Sequence, residues 1–419
     1  MTMADADLAS LVARVVDETP AFDMHTHLFA PEMGSLLLCG ADEALNFHYL
    51  VSESFRVHHM PYHEFWGLSK AQRAEVVWNS LFRDTSPVSE AASGVVEIAR
   101  AMGCDTGRLT LTALREALSD VPTAEYISRI MNLANVTHIV MTNDPFDDQE
   151  TAFWSEMGGM DKRFLASLRL DKLMNQYSSV VPVLIAKGYE VDESLSGRSV
   201  VELRRFLEDC ADAVHPLYVA FSTADDFVYP EPDGVRGRIL KEVVLPFCRE
   251  RGLPLSLMMG ARRQVNPALR AAGDSLANAP VRPLESLCAD YPDNRFLVSM
   301  LARENQHALV VAARKFHNLM PFGCWWFVNT DTLVEEIIRM RLELLGPTFI
   351  AQHSDARVLE HLIYKWQRAR RVLTRVLADK YENLQSSGWL VTEDVIRRDV
   401  EQLFSGNFRQ FVGLAESSG

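Results

Sequence analysis

Cysteine is scarce in this chain and scattered where it occurs. Cys39, Cys104, Cys210, Cys248, Cys288 and Cys324 form no CxxC pair and no dense framework, so they read as isolated core thiols of a reducing compartment. Long apolar runs are missing too. No stretch of 18 apolar residues occurs, and a membrane-spanning helix is therefore not expected. The opening MTMADADLASLVARVVDETP carries acidic residues and no apolar h-region, so it does not read as a signal peptide, and a cytoplasmic location is the expectation. Positive charge is also short: 42 Lys and Arg stand against 56 Asp and Glu, a formal net charge of -14. A broad negative field argues against a nucleic-acid partner and against an anionic membrane. It leaves room for a small anionic substrate, because a few local arginines and a metal reverse the potential inside a pocket. Internal repeats, low-complexity tracts and long flexible linkers are absent as well.

What is present is ordinary globular material. With 419 residues, 48% of them hydrophobic, the chain can fill a large core. Length alone suggests two or three domains, but an α/β barrel uses such a length as one unit, and one domain over 1–419 is expected. Short β-rich runs alternate with longer helical segments. The candidate strands are Ala21 to His25, Val136 to Thr142, Phe164 to Leu168, Leu217 to Ser222, Pro254 to Met259, Arg295 to Met300, Met320 to Trp325 and Thr348 to His353. Most are apolar without alternation, as strands covered on both faces are. Eight such runs joined by helices predict an α/β fold, a closed (β/α)8 TIM-type barrel. Two regions look added to it. Residues 31–135, with PVSEAASGVVEIARAMG and PTAEYISRIMNLANV, form an insertion far longer than a simple βα connection, expected to be a helical cap near the barrel mouth. Residues 356–419 form a C-terminal extension of two or more amphipathic helices, compatible with a homo-oligomer but specifying no symmetry.

The strongest local signal is FDMHTHLF, residues 22–29. Alternation puts His25 and His27 on one face at the end of the first strand, where two neutral imidazoles can bind a divalent ion. Hydrogen-bonded histidines are the plainer alternative. The second signal is IAQHSDARVLE, where Asp355 and Arg357 follow the last candidate strand. Asp355 can be read as the N-cap of the next helix. Closure of the barrel instead brings the first and eighth strands together and sets Asp355 beside the two histidines as a third ligand.

Other candidates are weaker. In ALNFHYL, Tyr49 beside His48 is either a proton shuttle or an aromatic packing residue. Arg169, with Asp171 in SLRLDK, either clamps a substrate carboxylate through its planar fork or makes a structural ion pair. Trp325 and Trp326 end the seventh run, and strand alternation predicts that one lines the pocket while the other packs outward. Arg262 and Arg263 offer positive charge near the mouth or lie on the surface. His58, His59 and His63 lack a nearby carboxylate and read as pocket wall or surface.

Together these landmarks resemble the uronate (glucuronate) isomerase family of the amidohydrolase superfamily. FDMHTH is similar to the superfamily's first-strand histidine motif, and NFHYL, SLRLDK, ENQHALVVAARKFHNLMPFGCWWFVN and FIAQHSDARVLEHLIYKW resemble successive family segments. The combination of WWF with HSDAR is the specific part. The resemblance implies one divalent metal ion, with zinc the expected ion, held by His25, His27 and Asp355. It also implies substrate or proton-transfer roles for His48, Tyr49, Arg169, Trp326 and Arg357 on a small hexuronate, interconverted between aldose and ketose forms. Asp355 is then the candidate base, with Tyr49, Arg357 and His48 as catalytic companions and Arg169 and Trp326 as substrate contacts. One departure stands out. The common members carry a histidine at the end of the fifth strand, and here Met258 in SLMMG takes that place. A methionine is no general base and a poor ligand for a hard or borderline ion. The fourth run has no lysine and the sixth no histidine, so a two-metal arrangement is unsupported. A single-metal hydrolase or decarboxylase of the same superfamily, or a non-catalytic sugar-acid-binding barrel, are the competing expectations.

Overall fold

A computed structural model describes residues 5–223, 226–231 and 234–414. Seven parallel strands follow one another in chain order round a curled sheet: β1 (Ala21–Asp23), β2 (Val136–Asn143), β3 (Phe164–Arg169), β4 (Val219–Thr223), β5 (Leu255–Met259), β6 (Phe296–Met300) and β7 (Leu319–Pro321). From β2 to β6 the runs are mostly apolar and buried, and pairing is regular, with Ile139 opposite Phe164 and Leu255 opposite Phe296. In β5, Leu255, Leu257 and Met259 pack outward against the helices, while Met258 joins an inner cluster with Phe22, Val140, Leu297 and Phe322. This alternation is the pleat of a strand buried twice.

The eighth position is filled differently from the expected strand at Thr348 to His353. It makes one parallel bridge, Phe322 with Ile350. The segment nonetheless closes the ring. On one side Ile350 N donates to Pro321 O (3.2 Å) and Gly323 N to Ile350 O (2.9 Å). On the other, Asp355 N donates to His25 O (3.2 Å) and His27 N to Ala356 O (2.8 Å). Side chains replace the missing ladder: Gln352 Oε1 accepts from Cys324 N at 2.8 Å, and Asp23 Oδ1 accepts from Ser354 N at 3.0 Å. The result is a distorted barrel.

The seventh strand is shorter than the run to Trp325 suggests. Pro321 brings no N–H to a ladder, and Gly323 turns the chain with φ +52°. A side chain there would meet the His353 ring, since an added Cβ would lie 1.8 Å from Nδ1.

Helices of the insertion lie between β1 and β2 and begin at legible signals. Ser69 and Gln72 form a capping box before Lys70–Trp78, Ser89 caps Glu90–Ala101, and Thr123 caps Ala124–Ala134. After the ring closes, a helix of 26 residues, His361–Ser386, packs against Asp5–Glu18, Glu90–Ala101, Ala124–Ala134 and Asp331–Leu345. It thereby ties the insertion to both chain ends. Phe408, from the last helix Asn407–Val412, packs tilted against Phe22 (ring centroids 5.1 Å apart) and joins the inner cluster of the barrel. Among the described residues no helix is long and apolar enough to cross a membrane.

Candidate active site

Just beyond β1, Thr26 fastens the chain to β2, its amide and hydroxyl both donating to Val140 O at 2.9 and 3.0 Å. Its neighbours His25 and His27 therefore turn the other way, with ring centroids 5.5 Å apart. From the closing segment Asp355 reaches them: its Oδ1 lies 3.3 Å from His27 Nε2 and 3.8 Å from His25 Nε2. Asp355 adopts a left-handed φ of 52°, uncommon for a residue with a side chain, and is held there by the hydrogen bond its amide donates to His25 O. The helix that follows starts at His361, so Asp355 does not cap it.

The protonation pattern follows from partners and burial. Tyr218 Oη donates to Met24 O at 2.7 Å, so its oxygen accepts from His25 Nδ1 at 3.2 Å. That fixes the His25 tautomer with Nε2 unprotonated and aimed at Asp355. Burial pushes His25 down to about 3 and His27 to about 4, which keeps both rings neutral. Burial alone would push the Asp355 carboxyl up, but the His27 ring beside it and the charge of Arg357 hold it below the usual carboxylate range. Asp355 Oδ1 is buried without a hydrogen-bond donor. Two neutral nitrogens and an orphaned carboxylate oxygen, all within 4.8 Å of one another, fit a divalent ion with coordination positions to spare. Among the described residues no other His, Cys, Asp or Glu group converges in this way.

A pocket opens over this group, walled by His25, His27, Arg169, Met258, Arg263, Trp325, Trp326 and Arg357. Arg357 Nη2 stands 3.4 Å from His27 Nε2, and burial pushes its guanidinium down while Asp355 opposes the shift. Arg169 makes the ion pair with Asp171 (Nε to Oδ2, 2.8 Å), and it also lines the pocket. Of the two arginines after β5, Arg263 reaches the wall, held by Asp274 at 2.7 Å with its guanidinium 5.6 Å from the Trp326 ring. Three arginines thus face one pocket in a chain of net charge -14.

Both tryptophans line the pocket, against the expectation that one would point outward. The alternation argument fails because the strand has already ended at Pro321, and Trp326 has φ 48°. His48 and Tyr49 open the helix His48–Val57 of the insertion and reach the tryptophan side of the pocket without lining it. The His48 ring is 5.9 Å from Trp326, and Tyr49 stacks on Phe327 at 6.4 Å. Burial, then Arg357, pushes His48 well down, and burial, then Asp355, pushes the Tyr49 hydroxyl well up. His58, His59 and His63 are exposed.

Several neighbours escaped the sequence reading. Asp23, buried beneath the histidines, accepts from Trp366 Nε1 at 2.8 Å as well as from Ser354 N, and burial raises it to about 6. Its signal was available, because Asp23, His25 and His27 share one spacing of two. His353, 5.5 Å from the His25 ring with both nitrogens buried and unpartnered, sits inside the HSDAR stretch itself. Tyr218 lies 193 residues from His25 and gives no local signal.

No family model and no curated protein matches the chain. Solved structures do. A uronate isomerase from Bacillus halodurans is 44% identical with a TM-score of 0.96, over 99% of this chain and 98% of that one. A uronate isomerase from Thermotoga maritima superposes at 0.80 with 15% identity, over 98% of this chain and 100% of that one. A glucuronate isomerase from Caulobacter crescentus does so at 0.69 with 14% identity, over 99% and 95%. At those identities the last two speak for the fold.

Proposed function

This chain belongs to the uronate isomerase family, and on that premise we propose that it interconverts D-glucuronate with D-fructuronate and D-galacturonate with D-tagaturonate. The observation that carries the reading is the match over 99% of the chain to the Bacillus halodurans uronate isomerase. His25, His27 and Asp355 would hold the divalent ion, and their nitrogen and oxygen donors suit zinc. Bound there, such an ion polarises the oxygens of the open-chain sugar and stabilises negative charge as it develops.

The remaining chemistry falls to side chains. Asp355, ionised at neutral pH, removes the C2 proton. The C2–H electron pair becomes the C1=C2 double bond and the aldehyde oxygen gains a proton, giving an enediol. The carboxyl then returns its proton to C1, and the C2 hydroxyl loses its own to leave a ketone. A carboxylate that is also a ligand must do this through its second oxygen. Tyr49 keeps its hydroxyl proton at neutral pH and is the group to shuttle a proton between the two sugar oxygens. His48, neutral, offers a hydroxyl one donor and one acceptor. Arg169 and Arg357 counter the substrate carboxylate and the charge of the intermediate, and Trp326 gives the sugar a flat wall. A cytoplasmic location belongs to the same reading, since all six cysteines are free thiols, five of them buried.

The test is to incubate the metal-loaded protein with each hexuronate in deuterated water and follow the sugars by NMR. Ketose formation with deuterium appearing at C2 of the recovered aldose is expected from at least one of the two pairs. Neither ketose nor label from either sugar would remove this substrate assignment.

A further inference from the structure

A buried cation stands behind the site and has no part in the scheme above. On the helix His361–Ser386, the positions His361, Tyr364, Lys365 and Arg368 share one face by their spacing. Lys365 is 3% exposed. Its Nζ lies 3.6 Å from Glu90 Oε1, 5.7 Å from the Tyr49 ring centroid and 5.2 Å from that of Tyr364. Glu90 is itself fixed: Arg368 donates to its carbonyl at 2.6 Å and approaches its carboxylate to 3.6 Å. Arg368 also binds Ser93 Oγ at 2.7 Å, one turn along the same insertion helix. Gly94 lets that helix sit directly on Tyr364, whose ring an added Cβ would meet at 2.8 Å.

Burying an ammonium is expensive, and an apolar side chain of equal volume usually packs at least as stably. Stability is therefore a poor reason for this lysine. Its position against an aromatic face is a better one, because a cation over a ring is attracted to the π-electrons and favours negative charge on a phenol oxygen. We propose that Lys365, anchored by Glu90, is a positioning residue that fixes the ring of Tyr49 and offsets the charge on its oxygen as it passes a proton. The proposal rests on the reading of Tyr49 as the proton shuttle. It gives the joint between insertion and C-terminal helix a part in turnover, because Tyr49, Glu90 and Lys365 come from three separate helices whose docking brings the cation to the phenol ring.

The experiment compares Lys365→Met, Lys365→Arg, Glu90→Gln, Tyr49→Phe and the double variant Tyr49→Phe/Lys365→Met in the metal-loaded protein, with kcat, KM and metal content measured on the hexuronate that turns over. Lys365→Met is expected to lower kcat about tenfold with KM and metal content within twofold of the parent. Lys365→Arg should recover most of the loss and Glu90→Gln should show a smaller one. The double variant should be no slower than Tyr49→Phe alone, because the lysine acts through the phenol. Losses that multiply in the double variant, or an unchanged kcat in Lys365→Met, would overturn the proposal. A Tyr49→Phe enzyme of full activity would instead sink the shuttle reading and the proposal with it. If Lys365→Met does not fold, Glu90→Gln alone and combined with Tyr49→Phe decides by the same criterion.

Discussion

Strands β2 to β6 and the seam made by β1, β7 with the turn that follows it to Trp326, and residues 350–357 lie in one ring but are held by different means. In the first, backbone pairs with backbone and the side chains are mostly apolar, as in Leu255 to Met259 against Phe296 to Met300. In the seam, side chains stand in for the ladder: Asp23 takes the Ser354 amide, Gln352 takes that of Cys324, and Trp326 and Asp355 sit at positive φ. Buried polar atoms without protein partners occur in both parts, at Asn143, Thr223, Ser256 and Ser299 of the strands and at His353, Asp355 Oδ1 and Trp326 Nε1 of the seam. The regular part makes a ring, and the seam spends regularity on side-chain geometry. The backbone difference locates function, since irregular backbone persists only where surrounding structure over-determines it.

Two substitutions should pull the regions apart. Asp355→Asn removes the proposed base and a ligand together, and kcat is expected to fall about a thousandfold or more. Asparagine tolerates the left-handed backbone, so the thermal transition of the metal-free variant should stay close to the parent's. Phe296→Ala, at a fully buried position of β6, should do the reverse. The expected cost is about 3–5 kcal/mol of unfolding free energy, read by denaturant titration, with turnover per folded molecule little changed. If Asp355→Asn destabilised the fold as much as Phe296→Ala, the seam would be structural first, and the contrast would break.

The same contrast governs what could be read from the sequence. Apolar runs gave β2 and β5 to within a residue, Val136–Asn143 against an expected end at Thr142 and Leu255–Met259 against an expected start at Pro254. Burial on both faces leaves no other use for such runs. Thr348 to His353 misled because its last residues are polar yet buried: Gln352 bonds the Cys324 amide and the Asn329 side chain, and neither His353 nitrogen has a partner. The ligand-type residues were legible for a topological reason: alternation pairs His25 with His27, and ring closure brings Asp355 to them. The supports around them were not. Tyr218 orients His25 from β4's entry and Trp366 steadies Asp23 from the C-terminal helix, and no spacing rule links either pair. The double tryptophan shows the opposite error, in which a periodicity was extended past the strand that justified it.

Arg169 sharpens the comparison because it belongs to both regions. As the last residue of β3 its backbone pairs in register with Ala220, and its side chain enters the pocket. The ion pair with Asp171 runs through Nε, while the terminal nitrogens are the ones suited to a bidentate grip on a substrate carboxylate. Lysine at this position has one ammonium for both partners. It can keep Asp171 or reach the substrate with a point charge, but it cannot do both in the plane of a carboxylate. Arg169→Lys is therefore expected to raise KM for the hexuronate about tenfold, or about 1.4 kcal/mol, with kcat and metal content nearly unchanged. Steady-state kinetics beside Arg371→Lys, a control on an exposed ion pair with Glu97, measure it. A KM that rises no more than the control's would mean that Asp171 is the whole partner of Arg169. A regular strand would then end in a structural pair, and substrate recognition would fall to Arg357 and Arg263.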